Sequence, residues 1–589
     1  MRARTIVAAL LALFALLTLF DRFVLVEMLL RRASVPLLVA FAVAIACVGV
    51  GALARRAEEA DVPLDFLIGY PLFGTICFLV GTVKVSVWTM VPIVVIAAIV
   101  GVLKILAGWH AVSAAESSSR QVVESSSTSR RLEDSKTRRL EGRSVWFAAV
   151  VVVIGCGFVA AQAPPSSLDE LAYHLAVPQA WALEGRAVEL PLSSHSYFPL
   201  GIESADLAAL VLLGANGGGV ASHFLHLFAA IATSLLIARR TESWLATAAI
   251  VTTPALAITA GWSLVDWPLA GLFVATYVAM ERDDTRTASA ATAAGLLTKY
   301  TFLPFAILAW AIKRKRPHAI ALAGLVFFIR NAILTFDPFA PFFGADTPHV
   351  SGFRALALAD YVFEGSFIDE AIGASIVALP AFATGALALG CVGIALVLFF
   401  LAPSSRILVP YLVVPSLNAS EALKKKWFAV LIASCVVVQT FLVVWFTARG
   451  GAFSLLAGGA SEAEYLRKQR PSYASIEWLN TQLPATSRTL VIGTNETYWF
   501  ARPVRGGGNF DGPRVSRYLE SLALHEQLKA DRITHVAVIA APIPTGNEQK
   551  QQERQTTLSP AAQRNLVAML DRFAGHVTSR GDVTLFTLR

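Results

Sequence analysis

"SVWTMVPIVVIAAIVGVLKILA", residues 86–107, carries a single charge, Lys104. A helix of about 20 such residues spans the hydrocarbon core of a bilayer. Working outward, similar runs occur at 4–27, 34–54 and 64–83 before it, and at 145–162, 219–238, 373–402 and 427–448 after it. With the less distinct stretches, the pattern predicts a polytopic α-helical membrane protein of roughly 13 spans. The composition agrees. Of 589 residues 56% are hydrophobic and 15% charged, with a mean hydropathy of +0.61. A soluble domain carries about 25% charged residues. The first 20 residues resemble a signal peptide but lack an obvious small-residue cleavage site, so they read as the first span.

The net charge of +8 is not a nucleic-acid signal. Lys and Arg gather in short turns between spans, as they do on the cytoplasmic side of membrane proteins. The Ser-rich segment 108–144 holds seven basic residues and reads as a disordered cytoplasmic linker. Arg239 and Arg240, "ERDDTR" (281–286), "KRKR" (313–316) and "KKK" (424–426) mark further cytoplasmic turns. By contrast, 163–200 has one basic residue, Arg186, and 335–372 has one basic residue and six acids. Both are expected outside, with the N-terminus in the cytoplasm. The segment 201–214 breaks this alternation if it crosses, so it is expected to lie at the interface. The sequon "NAS" (418–420) falls on the cytoplasmic side. All five cysteines sit in apolar runs, which argues against a disulfide framework or a cysteine zinc site.

After residue 450 the character changes. "RTLVIG" (488–493), "HVAVIA" (535–540) and "DVTLFTL" (582–588) read as strands. "YASIEWLNTQL" and "AQRNLVAMLDRF" have helical spacing. The expected organisation is a four-helix membrane extension (1–107), the linker (108–144), a membrane domain (145–450) and an external α/β domain (451–589). "RPVRGGGNFDGPR" (502–514) offers glycines and arginines for a phosphate or glycan, but without a strand and helix flanking it at the right spacing it reads rather as a mobile loop.

The chemistry concentrates where the chain leaves the span at 145–162. In "SSLDELAYHL" (166–175), Ser167 and Glu170 form a capping-box pattern, and Asp169 suits the positive end of a first helical turn. A capped interfacial helix accounts for both acids without catalysis. Yet charge at a membrane face is costly, and Tyr173 and His174 follow one turn later on the same helical face. Asp266, in "GWSLVDWPLA" (261–270), lies at a second external boundary, and also reads as an N-cap before Pro268.

These motifs resemble those of polyprenyl-phosphate-dependent glycosyltransferases of the GT-C fold, the group of protein mannosyltransferases, aminoarabinose transferases and rhizobial galacturonosyl transferases. The likeness rests on "LDELAYHLAVPQAWALEGR" (168–186), "SYFPLGIE" (196–203), "AGLLTKYTFLPF" (294–305) and "RNAILTFDPFAPFF" (330–343). It covers about 145–345, and "TFDP" stands where "TGNP" is common. The resemblance implies transfer of a sugar from a polyprenyl-phosphate donor to a hydroxyl of a glycan, lipid or protein acceptor, usually with inversion. It implies Asp169 as base, Glu170 assisting or holding the acceptor, and Asp266 orienting acceptor or donor sugar. Lys299 and Arg330 are candidates for the donor phosphate, with headgroup snorkelling as the structural alternative. Tyr173, His174, Tyr197 and Asn331 complete the expected binding set. Some relatives hold a divalent metal near this loop and others need none. For His174 a neutral ring bonded to Glu170 is the competing reading. The principal rival function is a transporter or flippase of lipid-linked sugars, although the internal repeats common in transporters are not visible.

Overall fold

The computed structural model describes residues 33–57, 60–123, 143–342, 373–401, 405–507, 511–539 and 558–589. Its main membrane-region helices are α1 (Ser34–Arg55), α2 (Val62–Gly81), α3 (Val87–Val123), α4 (Arg143–Ala161), α5 (Ala176–Glu184), α6 (Gly201–Thr241), α7 (Trp244–Val251), α8 (Asp266–Glu281), α9 (Thr285–Thr298), α10 (Phe302–Lys313), α11 (Val326–Thr335), α12 (Ala386–Leu401), α13 (Val409–Ser416) and α14 (Lys426–Arg449). Among the described residues five helices are long and apolar enough to cross a membrane. Six are if Trp244–Val251 and Pro254–Gly261, bent by 73°, form one broken span. The others are shorter, and the expected first span lies outside the described residues. Outward-facing Leu38, Trp88, Leu103, Val437 and Phe441 are exposed. An apolar belt of this kind suits a lipid solvent.

The basic turns meet at one end of the bundle. Arg55 grips Asp65 through Nε (2.5 Å) and Nη2 (2.8 Å), joining the end of α1 to the start of α2. Arg239 pairs with Asp61, Arg240 with Glu281, and Lys315 with Asp283. Arg240 also donates to Asn418 Oδ1 at 2.7 Å, so the sequon belongs to this basic end. The loop 163–200 and the C-terminal region occupy the opposite end.

Two expectations need correction. α3 continues as helix to Val123, well into the presumed linker, of which 124–142 lie outside the described residues. The segment 201–214 does not lie at an interface. Gly201 to Leu210 are all buried, because α6 is two helical arms folded back on each other at Gly214. That residue has φ 68° and ψ −175°, a backbone open to glycine alone. A Cβ on Gly218 would meet Leu210 of the first arm at 2.6 Å. α2 packs against this hairpin so closely that a Cβ on Gly74 would sit 1.7 Å from the Gly201 carbonyl oxygen. Small residues at such crossings let helix backbones approach where lipid offers no hydrophobic drive to associate. The N-terminal helices thus share one buried core with the region after 145.

Beyond Gly450 the chain forms a five-stranded sheet, in order β2-β1-β3-β5-β4. The strands are β1 (Thr489–Ile492), β2 (Val504–Gly507), β3 (His535–Ile539), β4 (Ala574–Arg580) and β5 (Val583–Leu588). β2, β1 and β3 run parallel, β5 runs antiparallel to β3, and β4 antiparallel to β5. β1, β3 and β5 are the three strands expected from apolar runs. The edge strands β2 and β4 escaped because one is glycine-rich and the other mostly exposed, which removes the apolar signal. Helices α15 (Ser472–Gln482), α16 (Gly512–Leu519) and α17 (Pro560–Phe573) accompany the sheet. The stretch 502–514 is therefore not simply a loop: it holds β2 and the start of α16.

This region is clamped onto the loop 163–200. Arg488 and Arg505 both reach Glu184, at 2.5 and 2.9 Å. The Trp499 indole N–H donates to the Pro165 carbonyl, and the Thr497 N–H to that of Leu171. Leu171, Leu175 and Ala176 of the loop are buried in one cluster with Leu479, Val491, Tyr498 and Phe500.

Candidate active site

Residues 170–174 form a single π-helical turn, in which the Leu175 N–H donates to the Glu170 carbonyl at 3.0 Å. The wider turn rotates its side chains away from the ordinary i,i+4 register. Glu170 reaches back to the Ser167 N–H (2.9 Å) and the Ser166 N–H (3.2 Å), as the capping pattern predicts. Its other oxygen accepts from His223 Nε2 (2.8 Å) and the Ser263 N–H (2.6 Å). Fully buried and bonded at both oxygens, Glu170 latches three chain segments together. That arrangement leaves no oxygen to assist a reaction or hold an acceptor, contrary to the role the resemblance implied.

His174 is also redirected. Its Nδ1 lies 2.7 Å from Glu203 Oε1, not against Glu170. Burial pushes the imidazole well below its usual range. Glu203 belongs to a deeper polar layer on the α6 hairpin. In that layer Asp206 accepts from Tyr70 of α2 at 2.8 Å and stands 3.2 Å from His226 Nε2. Lys299, at the turn between α9 and α10, acts electrostatically on both His174 and Glu203.

Asp169 and Asp266 converge. Arg406, on the turn Ser405–Ile407 between α12 and α13, donates through Nη2 to Asp169 Oδ2. Its Nη1 lies 3.7 Å from Asp266 Oδ2. Asp169 keeps 30% of its side chain exposed, against 14% for Arg406 and 7% for Asp266. Asp266 opens α8 but makes no capping bond, and its Oδ1 is buried without a partner. The N-cap reading of Asp266 is therefore not realised. Burial alone would raise the Asp169 carboxyl. The Arg406 guanidinium overrides that and holds the group down at about 2.

An aromatic row leads from this triad to the remaining candidates. Tyr173 stacks on His195 at 4.4 Å, and Phe198 stands edge-on to Tyr173 and Tyr300. Asn331 donates to the Tyr197 carbonyl (2.6 Å) and to Tyr300 Oη (2.5 Å), pinning the loop to α11. Arg330 donates to the Phe198 carbonyl at 3.3 Å and lies over the rings of Phe78 and Phe327. Neither acid is among its partners. Tyr197 bonds Glu189 through its hydroxyl and carries Arg514 of the C-terminal region over its ring at 4.6 Å. Asp511 accepts from the Ser194 N–H at 2.7 Å.

Arg406 had one sequence signal: it is the sole basic residue between Arg354 and Lys424. Glu203 and Asp206 had none beyond being acids in an apolar stretch. Among the described residues no three His, Cys, Asp or Glu side chains assemble as metal ligands. The two carboxylates flank a guanidinium instead.

No family model and no curated protein sequence matches the chain. Among solved structures it overlays on ArnT from Cupriavidus metallidurans bound to undecaprenyl phosphate, with a TM-score of 0.45 at 14% identity. The overlay covers 75% of this chain and 97% of that one. ArnT from the same organism in the apo state gives 0.46 at 15% identity with the same coverage.

Proposed function

We propose that the protein is a membrane glycosyltransferase. It moves a sugar, with inversion, from a polyprenyl-phosphate donor to an acceptor hydroxyl on the external face of a bacterial inner membrane, in cell-envelope glycan or glycoconjugate assembly. One observation carries this reading: Asp169 and Asp266, from separate elements, meet at the end of the bundle opposite its basic turns, one partly open and one with a bare oxygen. Asp169 takes the acceptor proton. Asp266 Oδ1 orients a sugar or acceptor hydroxyl. Lys299 and Arg330 flank the aromatic row on which the donor headgroup rests, and the apolar belt receives the prenyl chain. The polar contacts of Tyr197 and Asn331 shape the loop, and Tyr173 and His174 line its inner side. A transporter of lipid-linked sugars would share the helices, but its substrate site is expected near the bilayer midplane, and here the two acids meet at one end of the bundle.

The test is sugar transfer in detergent from defined polyprenyl-phosphate sugars. Asp169→Asn should lower turnover by about 10²–10⁴-fold, the usual worth of a general base, with Asp266→Asn also impaired. Wild-type levels in both variants would defeat the assignment.

A further inference from the structure

Arg406 blocks the group that the proposed reaction needs. A carboxylate oxygen already accepting from a guanidinium and held near 2 is a poor proton acceptor for an alcohol at neutral pH. The triad as it stands is a resting arrangement. Three features bear on the release of the guanidinium. Arg406 rides on a short turn rather than inside a long helix. Its Nε is buried with no hydrogen-bond partner, so its donor fork is only partly used. Asp169 lies at its exposed side. What displaces a guanidinium from a carboxylate is an anion that matches its planar fork, and phosphate does so with two parallel bonds.

We infer that Arg406 is the phosphate-binding switch of the site: the donor's phosphate draws the guanidinium off Asp169, so that donor binding itself frees the base. This rests on the transferase reading above. Asp169 is otherwise faced by His174 and His195 from the loop and by Tyr173 on its own turn; Asp266 faces the same guanidinium from α8. The step balances. The acceptor oxygen bonds to the sugar's anomeric carbon, and the bond from that carbon to the phosphate oxygen breaks. The acceptor proton passes to Asp169 Oδ2. The lipid phosphate leaves as a monoester with one more negative charge than it had as a diester, and Arg406 is already beside it.

The experiment measures binding of a sugar-free polyprenyl phosphate to the full-length protein in detergent by titration calorimetry, beside transfer assays and melting curves. Arg406→Gln should weaken binding at least tenfold and Arg406→Lys by less, because an ammonium lacks the fork. Asp169→Asn should lose transfer to the extent given above yet bind the lipid phosphate roughly tenfold more tightly, since the guanidinium is no longer sequestered. A gain in affinity cannot come from misfolding. Unchanged or weaker binding by Asp169→Asn, or wild-type binding by Arg406→Gln, overturns the switch. Inorganic phosphate should bind far more weakly than the lipid; equal affinity would make this a free-phosphate site and overturn the link to the donor. Variants that bind in the expected order while the wild-type protein transfers no sugar would overturn the transferase reading instead.

Discussion

Glu170 and Asp169 are neighbours with opposite fates. Glu170 is sealed by four hydrogen bonds that join the loop, α6 and the segment before α8. Asp169 keeps an open side and a single strong partner. Exchanging the first for an amide turns an acceptor into a donor against backbone N–H groups and costs about 1–3 kcal/mol. Glu170→Gln should therefore lower the melting temperature while the folded fraction retains its turnover. Equal melting temperatures with lost turnover would return Glu170 to the chemistry. The local pattern made both acids visible and even showed Glu170 reaching back to Ser167. It could not show that His223 and the Ser263 N–H would claim the second oxygen, because those partners are 53 and 93 residues away.

Among the elements, the α6 hairpin does most to place the site. Its first arm carries Glu203 and Asp206 into the protein, and its second returns His223 and His226 to meet the loop and Asp206. The reversal depends on Gly214, around which there is open space, so that a methyl group there would clash with nothing. Only its backbone conformation excludes other residues. Gly214→Ala should cost about 1–3 kcal/mol as strain. Gly155→Ala, on α4 with equally open surroundings, should leave the melting temperature unchanged or raise it, since alanine favours helix by about 0.5–1 kcal/mol. Comparing the two melting curves separates strain from packing, and equal curves would show that the turn tolerates a side chain. Hydropathy could not reveal this hairpin. A buried arm inside protein and a helix lying in a headgroup layer have the same composition.

On the scale of the whole molecule, basic turns at one end and the acid-bearing loop with its clamped sheet at the other give the protein a fixed polarity. An impermeant thiol reagent applied to intact cells should label Leu168→Cys and Leu522→Cys, both exposed at the loop end, and spare Lys315→Cys at the basic end. The reverse pattern would separate Asp169 from an external acceptor and end the functional proposal.

What the chain determined by itself follows from properties local in sequence. Hydropathy over about 20 residues marks membrane helices, charge asymmetry sorts their ends, and short apolar runs picked out β1, β3 and β5. Only tertiary structure decided the site. Asp169 and Arg406 are 237 residues apart, and a one-residue widening at 170–174 sent His174 to Glu203 rather than Glu170. An ion pair depends on where backbones cross in space, and no periodicity along the chain records that.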